Sequence, residues 1–361
     1  MKREILEEIL KAGVRAPSAD NSQPWKFVLT GTGVWLRLDP GRTFDFASGG
    51  HLMLYVSAGA VIENIRVAAQ TKGYGLQVCY FPGAKDRLVV ASLSFEAVQG
   101  QGGHAHQRAL EARVTNRRFY SGRWLDPEVY GRLEKAAVAE GMRLLWIKKQ
   151  DPRYKMLERV LGQADSLRYE VERLHREFMK TLRYGPAKAA SEGLPIDALE
   201  AGPGSRFFFK LMSSWPVMKA MNLLKASAAL GFYTQLQMKT SQAAGLLITS
   251  DSRPLDYTRG GEVMERIWHE ATVQGIAMQP MEALPIFIVN WKLNQVQDFS
   301  EKQKRLLLQL KEKFESLFQL QEKNGLVMLW RVGYAPAPSA RSNRRPIQSF
   351  IVENENANLS V

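Results

Sequence analysis

The 361 residues carry 49 Lys and Arg against 36 Asp and Glu, a formal net charge of +13, with 45% hydrophobic and 24% charged residues. That length supports a large core and about two domains or one duplicated unit, and the composition is that of a soluble globular protein. The basic excess favours anionic ligands, nucleic acid or an acidic membrane surface in general terms and fixes none of them, while the single cysteine, Cys79, excludes any intrachain disulfide.

Val78 and Tyr80 around Cys79 mark it as a buried strand residue, and a reducing cytoplasm fits the lone thiol. The N-terminus, Met1-Lys2-Arg3-Glu4, runs directly into an amphipathic helix with Ile5, Leu6, Ile9 and Leu10 at helical spacing, without the apolar core of a signal peptide. Pro17 is expected to end that helix. Ser18, Asn21, Ser22 and Gln23 then offer hydroxyl and amide groups on a short turn braced by Pro24 and Trp25, before a strand from about Phe27. Such a turn suits a polar planar ligand, because amides both donate and accept and prolines limit the ordering cost. It equally suits a plain helix-to-strand connection with a packed Trp.

Residues 31–38 alternate as the second strand of a hairpin, and Asp39-Pro40-Gly41-Arg42 is a turn. A long helix is predicted over 52–72, stopped by Gly73, with Gly59 and several alanines allowing close approach of another helix. Strands follow at 76–81 and 88–95, then a Gly-rich break from Gly100 to His106. His104 and His106, two histidines without a Cys or carboxylate cluster, read as part of a solvated linker ahead of a metal site, and no metal is expected.

Arg113, Thr115 and Arg117 alternate after a helical turn that ends at Leu110, a planar guanidinium fork and a hydroxyl suited to phosphate. A helix is predicted at 127–137, a strand at 144–147 and a charged helix over 154–183. Residues 184–240 are the least regular part, with Gly185-Pro186, Gly202-Pro203-Gly204, Phe207-Phe208-Phe209 and Trp215-Pro216. They read as a helical lid over a site, with an insertion packed on the core as the alternative. Within this part Lys210, Pro216, Lys219 and Lys225 interrupt the most apolar long stretch, Phe207 to Tyr233, so no integral membrane span is expected. A strand at 243–249, a helix at 261–274 stopped by Gly275, a loop over 275–283, a strand at 284–289, an amphipathic helix at 300–321 and a strand at 325–330 complete the chain. His269 is read as a solvent-facing or hydrogen-bonded structural residue ahead of a proton donor. In the helix at 300–321, Leu306, Leu310, Phe314, Leu317 and Phe318 are expected inward.

Pro17, Ser18, Asn21, Gln23, Pro24, Trp25 and Phe27 together resemble the PSxxNxQPWxF signature of the FMN-dependent nitroreductase family. Arg113, Thr115, Arg117 and Phe119 are similar to that family's RRSxRxF opening, with Val114 in place of the second Arg. Pro280 and Glu282 resemble its Pro-x-Glu-Gly loop, with Ala283 where Gly is usual, and Arg341, Arg344 and Arg345 stand where family members carry phosphate-binding residues, a disordered basic tail being the alternative.

The resemblance implies an α+β fold, nitroreductase-like and duplicated within one chain: two α/β lobes, 1–106 and 107–350, forming a pseudo-dimer, with a lid-like insertion at about 185–240 and a flexible tail at 351–361. The first half keeps the Pro-Ser-x-x-Asn turn and the second keeps the basic opening, so one complete site and one FMN per chain are implied, as in the single-chain, Acg-like branch of the family. By the same resemblance Pro17, Ser18, Asn21 and Gln23 lie at the flavin ring, and Arg113, Thr115 and the C-terminal arginines at its phosphate. Arg117 lies at the N1–O2 edge and the backbone around Pro280, Met281 and Glu282 at N5. No catalytic side chain is assigned. The implied activity passes hydride from NAD(P)H through FMN to a nitro, quinone or related acceptor. The alternative is an FMN-sequestering protein with a closed lid. A monomer is expected because the dimer is internal. A peripheral membrane or nucleic-acid binder is disfavoured because the basic residues are dispersed along the chain.

Overall fold

The computed structural model describes residues 1–44, 46–47, 49–83, 85–98 and 104–353, so the expectations for 99–103 and 354–361 lie outside the described residues. In chain order the elements are α1 (Arg3–Gly13), β1 (Trp25–Leu29), β2 (Val34–Leu38), α2 (Leu52–Thr71), β3 (Tyr74–Tyr80), β4 (Val89–Ala97), α3 (His104–Ala112), α4 (Pro127–Ala136) and β5 (Met142–Lys148). Then come α5 (Arg153–Leu167), α6 (Glu172–Thr181), the short β6 (Leu182–Arg183) and β7 (Leu194–Pro195), and α7 (Ser205–Met212), α8 (Trp215–Leu223) and α9 (Ala226–Thr240). The chain closes with β8 (Ala243–Thr249), α10 (Pro254–Val273), β9 (Ala277–Pro280), α11 (Ala283–Lys292), α12 (Glu301–Phe318), β10 (Gly325–Gly333) and β11 (Ile351–Glu353).

The strands form a mixed α+β fold with two larger sheets, ordered β11-β1-β2-β4-β3 and β5-β8-β10-β9. The chain's last described strand returns to the first sheet, where β11 lies parallel to β1 with Phe27 opposite Ile351. A flexible tail was expected from residue 351, but Ile351–Glu353 is paired. Every residue of β8 and β10 is buried, because helices cover both faces of that sheet. Strand alternation sends Ala243 and Leu247 into one core, with α2 and α10, and Ala244, Leu246 and Ile248 into another, with α5, α11 and α12.

The first core is built around the α2–α10 pair. Gly59 and Gly261 let these helices touch backbone to backbone: a Cβ at Gly59 would lie 1.9 Å from the Thr258 carbonyl oxygen, and one at Gly261 2.0 Å from that of Val56. Ion pairs cross the same seam in both directions, Arg66 of α2 to Glu262 of α10 at 2.5 Å and Arg266 of α10 to Glu63 of α2 at 3.3 Å. α2 is apolar and long enough to cross a membrane, but 83% of that window is buried inside the protein, which makes it a core helix.

Several expectations are corrected. Residues 284–289 are helical in α11, not a strand; Leu-Pro-Ile-Phe-Ile-Val is a short apolar run in which periodicity does not separate the two, and Pro285 sits in the first turn, where its missing N–H costs nothing. The helix expected over 154–183 is two, α5 and α6. The chain turns at 168–171, and Tyr169 packs edge-on against Phe178, ring centroids 5.9 Å apart. α10 starts at Pro254 rather than 261, α1 ends at Gly13 before Pro17, and His104 and His106 begin α3 rather than lie in a break. Cys79 is exposed, because β3 is an edge strand with residues 77 and 79 facing outward. In α12 the buried positions are Leu307, Leu310, Phe314 and Phe318; Leu306 and Leu317, expected inward, are partly buried against the same core, and Leu307 joins the stripe. Ser300 starts that helix with a reciprocal cap, its Oγ accepting from Gln303 N–H and its own N–H donating to Gln303 Oε1 at 2.9 Å.

Candidate functional site

A cavity of about 1910 Å³ lies between the turn after α1, the segment after α3, the N-terminus of α11, the arm 340–347 and the helical region from α5 to α9. It brings together Pro17, Ser18, Asn21, Arg113, Thr115, Arg117, Pro280, Met281, Glu282, Arg341, Arg344 and Arg345 from stretches far apart in the chain. Gln23 is the expected site residue that does not line it.

The turn after α1 is held in an unusual conformation. Asp20, Asn21 and Gln23 have φ of +51°, +56° and +52°, the left-handed region that side chains other than Gly rarely adopt. Hydrogen bonds hold it there. Gln23 N–H donates to Ser18 Oγ at 2.9 Å, and the Gln23 carboxamide donates to the carbonyls of Asn21 at 3.1 Å and Ser191 at 2.9 Å. Its Oε1 accepts from Arg345 N–H at 3.0 Å. Gln23 is fully buried and its carboxamide is spent on backbone, which corrects its assignment as a ligand contact: it is a positioning residue. Asn21 lines the cavity, but its Nδ2 is likewise spent, on the carbonyls of Gly193 at 3.2 Å and Asn343 at 3.0 Å.

Four guanidiniums converge on one wall. Arg344 donates to the carbonyls of Val14, Arg15 and Ala16 and to Asn21 Oδ1, at 2.8 to 3.2 Å. Arg113 donates to the Arg15 carbonyl at 2.7 Å, stands 2.9 Å from Glu265 Oε1 and lies over the Trp268 ring, 4.8 Å from its centroid. Arg15 and Arg341 both donate to the Glu111 carbonyl, at 2.7 and 3.3 Å. Burial and then the neighbouring positive charge hold Arg15 and Arg341 below the usual arginine value. The same two causes, burial first and then Arg113, push Arg344 down to about 9. Among carboxylates, Glu265 pairs with Arg113 and Glu111 acts on Arg15, which against four guanidiniums leaves an excess of positive charge suited to a phosphate dianion.

Further along the cavity lining, the segment after α3 is stitched to β9: Thr115 bridges Met278, and Asn116 N–H donates to the Met278 carbonyl at 2.9 Å. Arg117 donates to the Ala198 carbonyl at 3.2 Å; burial pulls it down to about 10, while Asp20 opposes that shift. Asp20 is itself raised by burial against the pull of Arg168 and Arg117. Pro280 ends β9, an edge strand where its missing N–H breaks no ladder. The Met281 N–H is taken by the Leu329 carbonyl at 2.8 Å. Glu282 accepts from Leu329 N–H at 2.5 Å through Oε1, and its Oε2 is buried without a partner among the described residues. Burial raises this carboxyl to about 8, so it is largely protonated at neutral pH. Ala283 and Leu284 follow at the cavity wall in the first turn of α11, where N–H groups have no intrahelical acceptor.

Arg15, Asp20, Arg168, Glu265 and Trp268 were not anticipated from sequence. Arg15 directly precedes the Ala16-Pro17 motif, a signal that could have found it; Arg168, Glu265 and Trp268 come from mid-helix or helix-end positions with no local mark. His269 is buried, 3.4 Å from Glu265, so of its two expected readings the solvent-facing one is set aside. Among the described residues no group of three or more His, Cys, Asp or Glu could hold a metal ion; His106 stands 3.7 Å from Glu270.

Fold and cavity define a mixed α+β protein with a large ligand space whose one wall is basic. Residues 1–39 match the model of the nitroreductase family. An uncharacterized protein of Mycobacterium tuberculosis is 28% identical over 341 residues, 94% of this chain and 47% of that protein. A second M. tuberculosis protein, named "Putative NAD(P)H nitroreductase acg", is 32% identical over 92 residues, 26% of this chain and 28% of its own length. The chain thus spans less than half of these relatives. Among solved structures, a nitroreductase with bound FMN from Desulfitobacterium hafniense aligns over 70% of this chain and 99% of its own, with a TM-score of 0.36 and 12% identity. The likeness to the nitroreductase family is thus carried by residues 1–39 and by a 92-residue match to a protein of that name.

Proposed function

We propose that this chain is an FMN-binding oxidoreductase that carries one flavin in the described cavity and passes hydride from NAD(P)H to a nitro, quinone or related small acceptor. The observation that carries the reading is the convergence of Arg15, Arg113, Arg341 and Arg344 on one wall against the carboxylates of Glu265 and Glu111. Those guanidiniums fit a phosphate; Pro17, Ser18 and Asn21 stand beside them as a rigid ledge for a planar ring; the first turn of α11 offers N–H groups across the space. FMN, when bound, supplies the hydride chemistry.

What the chain's own groups do follows from their placement. Arg344 joins the phosphate wall to the turn, so binding at one orders the other. Arg117 supplies positive charge near the ring edge. Glu282 holds a proton at a buried carboxyl on the cavity wall. The volume exceeds the roughly 300–1,000 Å³ of an ordinary single-ligand pocket, which supports room for a second ligand and hence turnover over simple flavin storage.

The reciprocal Arg66–Glu262 and Arg266–Glu63 pairs and the facing Gly59 and Gly261 support an internal pseudo-dimer with one complete site. In this reading α7 to α9 act as the lid, the chain is monomeric and it works in the cytoplasm. The test is the absorption spectrum of the purified protein before and after anaerobic NADPH or NADH, with released flavin counted. About one FMN per chain that bleaches is expected. Two flavins per chain overturn the single-site reading, and flavin that stays oxidised overturns the reductase.

A further inference from the structure

The helices α7 to α9 have a second face that the cavity does not use. Residues 202–240 contain Arg206, Lys210, Lys219, Lys225 and Lys239 and no Asp or Glu. Dispersed along the whole chain, the basic residues argue for nothing; here they are gathered on one structural unit. Arg206 is paired with Asp197 at 2.9 Å, whereas Lys210, Lys219 and Lys225 are exposed and have no ion-pair partner among the described residues.

Large apolar side chains stand out from the same unit. Leu223 and Leu224, at the end of α8, are 84% and 86% exposed, and Phe207 on α7 is 74% exposed. Leu211, one helical turn after Phe207, and Phe232 on α9 are also exposed. The inward face is a separate set, Phe209, Met212 and Met218, so these outward residues are surplus to the packing of the unit. Lys225, in the left-handed conformation at φ +61°, joins α8 to α9, with the exposed Leu223 and Leu224 directly before it.

We propose that this face docks on the surface of an anionic lipid bilayer, Leu223, Leu224 and Phe207 entering the interface and Lys210, Lys219 and Lys225 pairing with acidic headgroups. Charge decides between occupants. A second copy of the chain would set this acid-free basic face against an equally basic one, or against a chain of net charge +13, whereas an acidic bilayer complements both the lysines and the exposed apolar residues. The inference does not depend on the flavin reading.

The experiment is co-sedimentation of the purified 361-residue chain with vesicles of phosphatidylcholine alone and of equal parts phosphatidylcholine and phosphatidylglycerol. Binding to the anionic vesicles is expected at low salt, weakening as salt shortens the Debye length. Replacing Lys210, Lys219 and Lys225 together by Gln should lower the partition coefficient by roughly 10–100-fold, on the scale of each basic residue's contribution near an acidic surface. Leu223→Ser with Leu224→Ser should lower it about tenfold or more, and all these positions are exposed, so thermal midpoints should match the parent.

Failure of the parent to sediment with anionic vesicles overturns the proposal. So does binding that survives both sets of substitutions, or that falls with the lysine changes and not with the leucine changes, since that is plain polyanion attraction. A concentration-dependent dimer abolished by the leucine changes assigns the face to a second copy and overturns it as well.

Discussion

Arg344 Nη1 donates to Asn21 Oδ1 at 2.8 Å across 323 residues of sequence, and through that bond the C-terminal arm holds the strained turn after α1 against the basic wall. The same guanidinium also serves the carbonyls of Val14, Arg15 and Ala16. A lysine keeps the charge but cannot span these acceptors with one ammonium. Arg344→Lys is therefore expected to weaken flavin affinity about 10–100-fold and to cost roughly 1–3 kcal/mol of stability, checked by fluorescence titration with FMN and by urea unfolding. Unchanged affinity would separate the arm from the binding site.

Gln23 is expected to act on the turn and not on the ligand. Gln23→Ala removes acceptors and donors from the buried groups at Arg345, Asn21 and Ser191, at a cost of about 2–4 kcal/mol. At saturating FMN and low temperature, where the variant is still folded, the spectrum of bound flavin should match the parent. A shifted flavin spectrum with normal stability would restore Gln23 to the ligand shell.

The seam between α2 and α10 leaves no room for a methyl group. Gly59→Ala and Gly261→Ala place a Cβ 1.9 and 2.0 Å from a backbone carbonyl oxygen, far inside van der Waals contact, and neither backbone can yield without separating the helices. Each should destabilise by roughly 2–4 kcal/mol, measured as a lower urea midpoint. Gly122→Ala is the control, because nothing lies within 4 Å of its Cβ position.

Glu282 makes stability depend on pH with a predictable sign. Its carboxyl lies at about 8 in the folded protein, above the ordinary value of 4.5 that the unfolded chain recovers. The folded state thus binds the proton more tightly, so this contribution is fully present below about pH 4.5 and is lost as pH rises to about 8. Glu282→Gln keeps an acceptor for Leu329 N–H and is neutral throughout. Relative to the parent it should gain roughly 2–4 kcal/mol between pH 5 and 8.5, read as the difference between two thermal unfolding profiles. Parallel profiles would mean that the carboxyl is already ionised at neutral pH.

Much of the architecture was legible because it rests on local rules. α1, α2, α4 and α12 follow helical periodicity with stops or caps, and the hairpin β1–β2 follows alternation, all of it readable over a window of a dozen residues. Where local signals tie, tertiary packing chose: residues 284–289 are apolar and short enough for strand or helix, and the helix expected at 154–183 is two, with Tyr169 at the turn packed on Phe178. Cys79 has apolar neighbours, and its exposure comes from β3 lying at a sheet edge, a matter of strand order.

Residue types and spacing alone offered polar groups on a braced turn at 17–27 and a guanidinium-hydroxyl alternation at 113–117, each equally open to a plain structural reading; it was the resemblance to the nitroreductase motifs that singled these out together with 280–282 and the arginines at 341–345. Only the tertiary structure decided how those groups are spent. It turned Gln23 and the Asn21 amide to backbone, set Arg113 between Glu265 and Trp268, and gathered Arg15 with Arg341 and Arg344 on one wall. The reason is physical: a buried donor must find an acceptor and a buried charge a neighbour, and which one it finds depends on segments more than 300 residues apart meeting in space.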